Sequence, residues 1–169
     1  NNIDDPYKLV KQKVEELLNQ SFIVENDEKK IIEIPVCYGG EFGPDLDEVA
    51  CINNLSIENV IAKHSSKDYF VYMLGFAPGF PYLAGVDAEI ATPRKQTPRL
   101  KIEAGSVGIA GEQTGIYSIA TPGGWQIIGR TPKKLFTPEK EKPTLLNAGE
   151  WVRFKPISEE EYFQIEAGE

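Results

Sequence analysis

The sequence predicts a mainly β domain, a barrel or a sandwich, entered through a helix and a strand of α/β character. Three observations carry that expectation. From Tyr69 onward, short aromatic or β-branched runs alternate with turn signals at a spacing of roughly 8–12 residues. Between Gly75 and Pro132 lie ten of the chain's 15 glycines and six of its 12 prolines. Glycine admits positive φ and close backbone approach and proline fixes φ, so this stretch turns often and holds its turns rigidly. Finally, 41% hydrophobic and 26% charged residues in a chain of 169 are ordinary for a globular protein with a core large enough to fold without staples.

The elements follow in order. Asp5-Pro6 caps and starts a helix carrying Leu9, Val14, Leu17 and Leu18, predicted over residues 6–20. Its apolar stripe needs a sheet or another helix to cover it. Ile31–Ile34 reads as a strand leading into Pro35-Val36-Cys37-Tyr38, and Gly39–Pro44 as a loop. Two short helices follow, near Asp45–Cys51 and Ile57–Ser65, the second capped by Ser56. Tyr69–Leu74 is a buried strand ending at Gly75. Further strands are expected at Leu100–Glu103, Val107–Ala110, Ile116–Ala120, Trp125–Ile128 and Trp151–Pro156. Ser158 and Glu161 form a capping-box pattern that opens a last helix. The division falls near residues 33–38, giving a segment 1–34 and a β-rich body 35–169. The chain opens on Asn1-Asn2-Ile3 without methionine, so an upstream segment is expected.

Composition narrows the function classes. The net charge is −8, yet residues 75–132 hold five Lys/Arg against four Asp/Glu, leaving 13 bases and 22 acids in the flanks. An acidic balance of this kind argues against nucleic acid, which needs a basic footprint. No run is long enough to span a bilayer. Cys37 and Cys51 stand fourteen apart with no CxxC, usage that suits free thiols in the cytoplasm. There is no GxxxxGK[ST], no GxGxxG and no GxSxG. One histidine and two distant cysteines make no standard zinc site. Neither ATP nor a metal is expected to be held by a motif of this chain alone.

Several residues are candidates for a site. His64, at the end of a predicted helix, either moves protons near neutral pH or caps the helix C-terminus as a cation. In Gly75-Phe-Ala-Pro-Gly-Phe-Pro-Tyr82, the rings of Phe76, Phe80 and Tyr82 either wall a cleft or fill a barrel end. Arg94 and Arg99 each follow Thr-Pro, which stiffens their approach. They form a carboxylate clamp, or else bridge on the surface to Glu103 or Glu112. Gln113, Tyr117 and Trp125 set amide, phenol and indole donors beside glycines, as a small-ligand cleft requires; the plainer reading is a turn-rich barrel plugged by amphipathic rings.

These segments carry a resemblance. GFAPGFPYLAG, TPR, AGSVGIAGEQTGIY and TPGGWQIIGRTP, with IPVCYGGEFGPDL and the HSS after the second short helix, resemble the KipI/PxpB family, the allophanate hydrolase subunit 1-like proteins. The similarity runs from about Ile34 to Ile157. It implies a cyclophilin-like β-barrel preceded by a remnant of a small α/β domain. It also implies a subunit of an ATP-dependent 5-oxoprolinase, which opens the lactam of 5-oxoproline to glutamate. The implied partners are a homologous KipA-type subunit and a LamB/YcsF-type subunit, with ATP used by the complex. One branch of the family inhibits a sensor histidine kinase, and another belongs to urea-degrading allophanate proteins. On the enzyme reading, Arg94 or Arg99 holds the substrate carboxylate. Phe80, Tyr117 and Trp125 line the ring, Gln113 donates to an oxygen that gains charge, and His64 carries protons. The chain by itself is expected to be inactive. A fold likeness to prolyl isomerases does not carry that activity over.

Overall fold

The computed structural model of the chain describes residues 5–18 and 29–168. Helix α1 spans Pro6–Leu18, and the backbone N–H of Lys8 donates to Asp5 Oδ1 at 3.2 Å, the N-cap arrangement read from Asp5-Pro6. Tyr7, Val10 and Leu17 on this helix are exposed. Positions 19 and 20 of the expected helix lie outside the described residues.

The body is a closed barrel. Strand β1 (Ile31–Tyr38) is followed by α2 (Leu46–Ile52), α3 (Ile57–Ser65), β2 (Asp68–Leu74) and β3 (Pro81–Ala84). Then come β4 (Arg99–Ile102), β5 (Ser106–Ala110), β6 (Gln113–Ile116), β7 (Thr121–Gly123), β8 (Gln126–Arg130), β9 (Trp151–Pro156) and α4 (Glu159–Glu166). The strands close in the order β1-β8-β5-β6-β3-β2-β9, and β9 returns to β1. That last pairing is parallel, from Ile31 opposite Trp151 to Val36 opposite Pro156; the others are antiparallel. The ladder runs unbroken through residues 34 and 35, where the sequence places its division, so all of β1 is barrel wall. Closure leaves the barrel no free edge. Strands β4 and β7 form a separate two-stranded sheet.

Side chains alternate across each strand, and one set fills the barrel. Ile34 and Val36, Tyr69 and Val71, Val107 and Ile109, Val152 and Phe154 join one buried cluster with Leu83, Ile116 and Ile128. Helices α2 and α3 add Leu46, Val49 and Val60 to it. Ser56 caps α3 by accepting from the backbone N–H of Asn59, and the Ser158–Glu161 capping box opens α4.

A second apolar cluster lies on the outside of the barrel wall. Gly108 on β5 stands opposite Gly115 on β6, on the face that Val107, Ile109 and Ile116 turn away from. A Cβ at Gly115 would sit 2.9 Å from Phe80 Cζ and 3.1 Å from Trp125 Cζ3, and one at Gly108 would sit 3.1 Å from Trp125 Cβ. The glycine pair therefore clears a floor on which two large rings rest. Ile102, Ala110, Tyr117 and Ile127 complete the buried part of that cluster. At Gly123 an added Cβ would collide with the Tyr117 hydroxyl, so only glycine lets β7 pass there.

Candidate functional site

The cleft grows out of this outer cluster. Phe80, Tyr117 and Trp125 are 1%, 2% and 5% exposed. Their rings meet edge to face, with centroids 5.3 Å apart for Phe80 and Tyr117 and 5.5 Å apart for Phe80 and Trp125. Tyr82 packs on Phe80 at 5.0 Å. Phe76 has a φ of 68°, a conformation strained for a bulky residue, and its ring is 64% exposed at the rim. It stands edge-on to Phe80 at 5.6 Å. These five rings, with Arg94, Pro98 and the Pro122–Gly124 segment at the end of β7, line a cavity of about 290 Å³. That is the small end of the range for ligand sites, roughly 300–1,000 Å³.

Arg94 supplies the charge. Its guanidinium lies over the Trp125 ring at 5.8 Å from the centroid. It makes no ion pair among the described residues, while Lys95, Arg99 and Lys101 are all engaged. Burial pushes the Tyr117 phenol above its ordinary pKa, although the Trp125 backbone N–H and the charges of Arg94 and Arg99 pull the other way. The phenol therefore keeps its proton at neutral pH and can donate it. Apolar walls, one unpaired guanidinium and one protonated phenol suit a small anion with a flat apolar body.

The other sequence candidates sit elsewhere. Arg99 gives its fork to Asp45, with Nη1 at 2.8 Å from Oδ2 and Nη2 at 2.6 Å from Oδ1. This corrects both readings of Arg99: it is no free clamp, and its partner is neither Glu103 nor Glu112. Glu103 pairs with Lys101 instead, at 2.8 Å. Gln113 is exposed at the start of β6, paired with Ala84 and Ala110, and is not among the cleft's lining residues.

His64 is fully buried inside the barrel. Nδ1 is 2.8 Å from the Tyr38 hydroxyl and Nε2 is 2.9 Å from Thr114 Oγ1, which donates on to the Gly108 carbonyl. The ring stacks on Phe154 at 4.5 Å. Burial, with a lesser push from Lys67, lowers its pKa to about 3. It is thus a neutral core group, neither a proton carrier at the cleft nor a cationic helix cap.

Sequence reasoning missed Asp45. It is 2% exposed and precedes α2, yet its side chain does not cap that helix. It receives Arg99, Lys95 Nζ at 2.9 Å and the Ile127 backbone N–H at 2.6 Å. Burial alone would raise its pKa, but these donors together hold it below the ordinary carboxylate value. Its partners lie some 50 to 80 residues away, so only the cations that follow Arg94 in TPRKQTPR, Lys95 and Arg99, hinted that a carboxylate was needed. Cys37 and Cys51 are both free thiols. Among the described residues no group of three His, Cys, Asp or Glu could hold a metal, and no helix is long and apolar enough to cross a membrane.

Known proteins share this architecture. The chain is 60% identical over 162 residues to a 5-oxoprolinase subunit of Bacillus subtilis (strain 168), an alignment covering 95% of the chain and 67% of that protein. It is 54% identical over 132 residues to the corresponding 5-oxoprolinase subunit of Escherichia coli O157:H7, covering 78% of the chain and 61% of the relative. The chain thus spans about two thirds of the length of these relatives. A crystal structure of a conserved uncharacterized protein from Pyrococcus horikoshii superimposes with a TM-score of 0.77 at 51% identity, covering 92% of the chain and 68% of that structure. The sequence pattern common to the carboxyltransferase domain, subdomain C and D, extends over residues 2–146, which takes in the cleft, its glycine floor and the Asp45 anchor. The chain belongs to the carboxyltransferase domain family, subdomains C and D.

Proposed function

We propose that this chain is part of an ATP-dependent 5-oxoprolinase and that its outer cleft receives 5-oxoproline. The observation that carries the reading is one unpaired guanidinium, Arg94, set over the Trp125 ring at the mouth of an aromatic pocket of about 290 Å³. 5-Oxoproline is a small flat lactam with one carboxylate. Arg94 pairs with the carboxylate, and Phe80, Tyr82 and Trp125 cover the ring faces. The Tyr117 hydroxyl donates to the lactam oxygen, which gains negative charge as the carbonyl carbon is attacked. That role was read from the sequence for Gln113. The names of the relatives from Bacillus subtilis and Escherichia coli support the assignment.

On this reading the cleft supplies one cation for the substrate carboxylate, and the described residues around it include no neutral-pH proton carrier and no nucleotide-binding motif. Accordingly, the chain works only with companion subunits of the KipA and LamB/YcsF types, which bring ATP and the remaining chemistry. The free thiols fit a cytoplasmic assembly.

Ring opening of 5-oxoproline is the test, measured as glutamate formed with ATP. The isolated chain is inactive, and addition of both companions to the full-length protein gives activity. Arg94→Ala in that complex raises KM about 10- to 100-fold, the loss of one charge-assisted pair, with a smaller change in kcat. Ring opening by the chain alone, or an unchanged KM in Arg94→Ala, overturns the reading. Inhibition of a sensor kinase's autophosphorylation by the full-length protein, with no gain from the companions, would favour the regulatory branch.

A further inference from the structure

We infer that Asp45 is a positioning residue for the cleft: it straps down the arm 92–99 and so holds Arg94 over Trp125. Arg94 itself has no ion pair among the described residues that could fix it. The arm is fixed instead on either side of it. Lys95 Nζ reaches Asp45 Oδ1 at 2.9 Å and Glu48 Oε2 at 2.6 Å, and Arg99 grips both oxygens of Asp45. The backbone N–H of Lys95 donates to the Gly124 carbonyl at 2.7 Å, and Gln126 Nε2 donates to the Pro93 carbonyl at 3.1 Å. Asp45 is anchored in turn to the barrel by the Ile127 backbone N–H. One buried carboxylate thereby ties two cations of a Pro-stiffened arm to β8, the strand that follows directly on Trp125. Fork-shaped pairing fixes direction as well as distance. The consequence for substrate, that a loosened arm presents its guanidinium in many poses and grips a carboxylate less well, rests on the proposed reading of the cleft.

The test needs no substrate, so its failure and the failure of that reading are separable. In a Trp151→Phe background the remaining indole is Trp125, whose fluorescence is quenched by iodide and, separately, by caesium at equal ionic strength. With Arg94 in place, iodide is favoured; Arg94→Ala removes the preference. Asp45→Asn adds one positive charge to the neighbourhood, whereas Arg99→Gln removes one. If only local charge matters, the two substitutions shift the preference in opposite directions. If Asp45 positions Arg94, both lower it, by about twofold. Arg99 is part-exposed, so Arg99→Gln keeps the barrel even should Asp45→Asn fail to fold. For that variant limited trypsinolysis is decisive by itself: cleavage after Arg94 and Lys95 rises about tenfold as the arm opens. Opposite iodide shifts, or an unchanged cleavage rate in Arg99→Gln, overturn the proposal.

Discussion

Lowering the pH should unfold this barrel through His64, and the size of the effect follows from its surroundings. The imidazole is fully buried, hydrogen-bonded at both nitrogens and stacked on Phe154, with a pKa of about 3. In the unfolded chain it titrates near the ordinary histidine value of 6.5. The folded pKa is thus the lower one. Above about pH 6.5 neither state binds the proton, and the contribution to stability is whole. As the pH falls toward 3 the unfolded state takes up a proton that the folded state refuses, and stability drops by about 1.4 kcal/mol per pH unit. Other groups also titrate here, among them Asp45, whose depressed pKa adds its own loss at low pH. The comparison is therefore with His64→Gln, which keeps a polar group between Tyr38 and Thr114 and cannot titrate. Urea unfolding of both proteins at about pH 5.5 and 4.0 gives the difference in ΔG. Wild type should lose about 2 kcal/mol more than the variant over that interval. Between about pH 7 and 8.5 the difference should stay constant. Equal losses at low pH would mean that His64 is protonated in the folded barrel, and would reopen its role as a proton carrier.

Two further predictions test the packing. Gly115→Ala puts a Cβ 2.9 Å from both Phe80 Cζ and the Pro81 carbonyl oxygen, and the backbone atom cannot move aside. It should cost about 1–3 kcal/mol by thermal melting and shift the Trp125 emission; an unchanged Tm and spectrum would refute the glycine floor. Cys51 is exposed, whereas Cys37 is buried with its thiol pKa raised by desolvation and, less, by Glu159 and Glu41. A disulfide-exchange reagent should therefore titrate one thiol rapidly in the native protein and the second only in denaturant, with two fast thiols as the contrary result.

Local chemistry made much of the fold legible. Ser56, Ser158 and Asp5 announced three helix starts because a capping side chain acts within three residues. The strand at Trp151–Pro156 was readable because its apolar residues alternate. Others were hidden by residues that usually break strands. β3 begins at Pro81, where a strand's first residue can forgo an N–H, and the run therefore resembled loop. β6 occupies Gln113–Ile116, earlier than the expected Ile116–Ala120, because Gly115 serves as bare floor under two rings and does not mark a turn. The site divides along the same line. Phe80, Arg94, Tyr117 and Trp125 were singled out because cleft chemistry has a recognisable residue mix, and the structure places those four around one cavity. Arg99 and His64 were assigned by side-chain type, but their partners lie tens of residues away: Asp45 for one, Tyr38 and Thr114 for the other. No local pattern reports a distant carboxylate or the direction in which a helix-end side chain points.

A crystal of the chain soaked with 5-oxoproline bears on the cleft more directly than any kinetic assay. The lactam should lie between Phe80, Tyr82 and Trp125, with its carboxylate on the Arg94 guanidinium and its amide oxygen toward the Tyr117 hydroxyl. Density for the ligand on another face of the molecule, or in the cleft with its carboxylate turned away from Arg94, would contradict that pose and the function drawn from it.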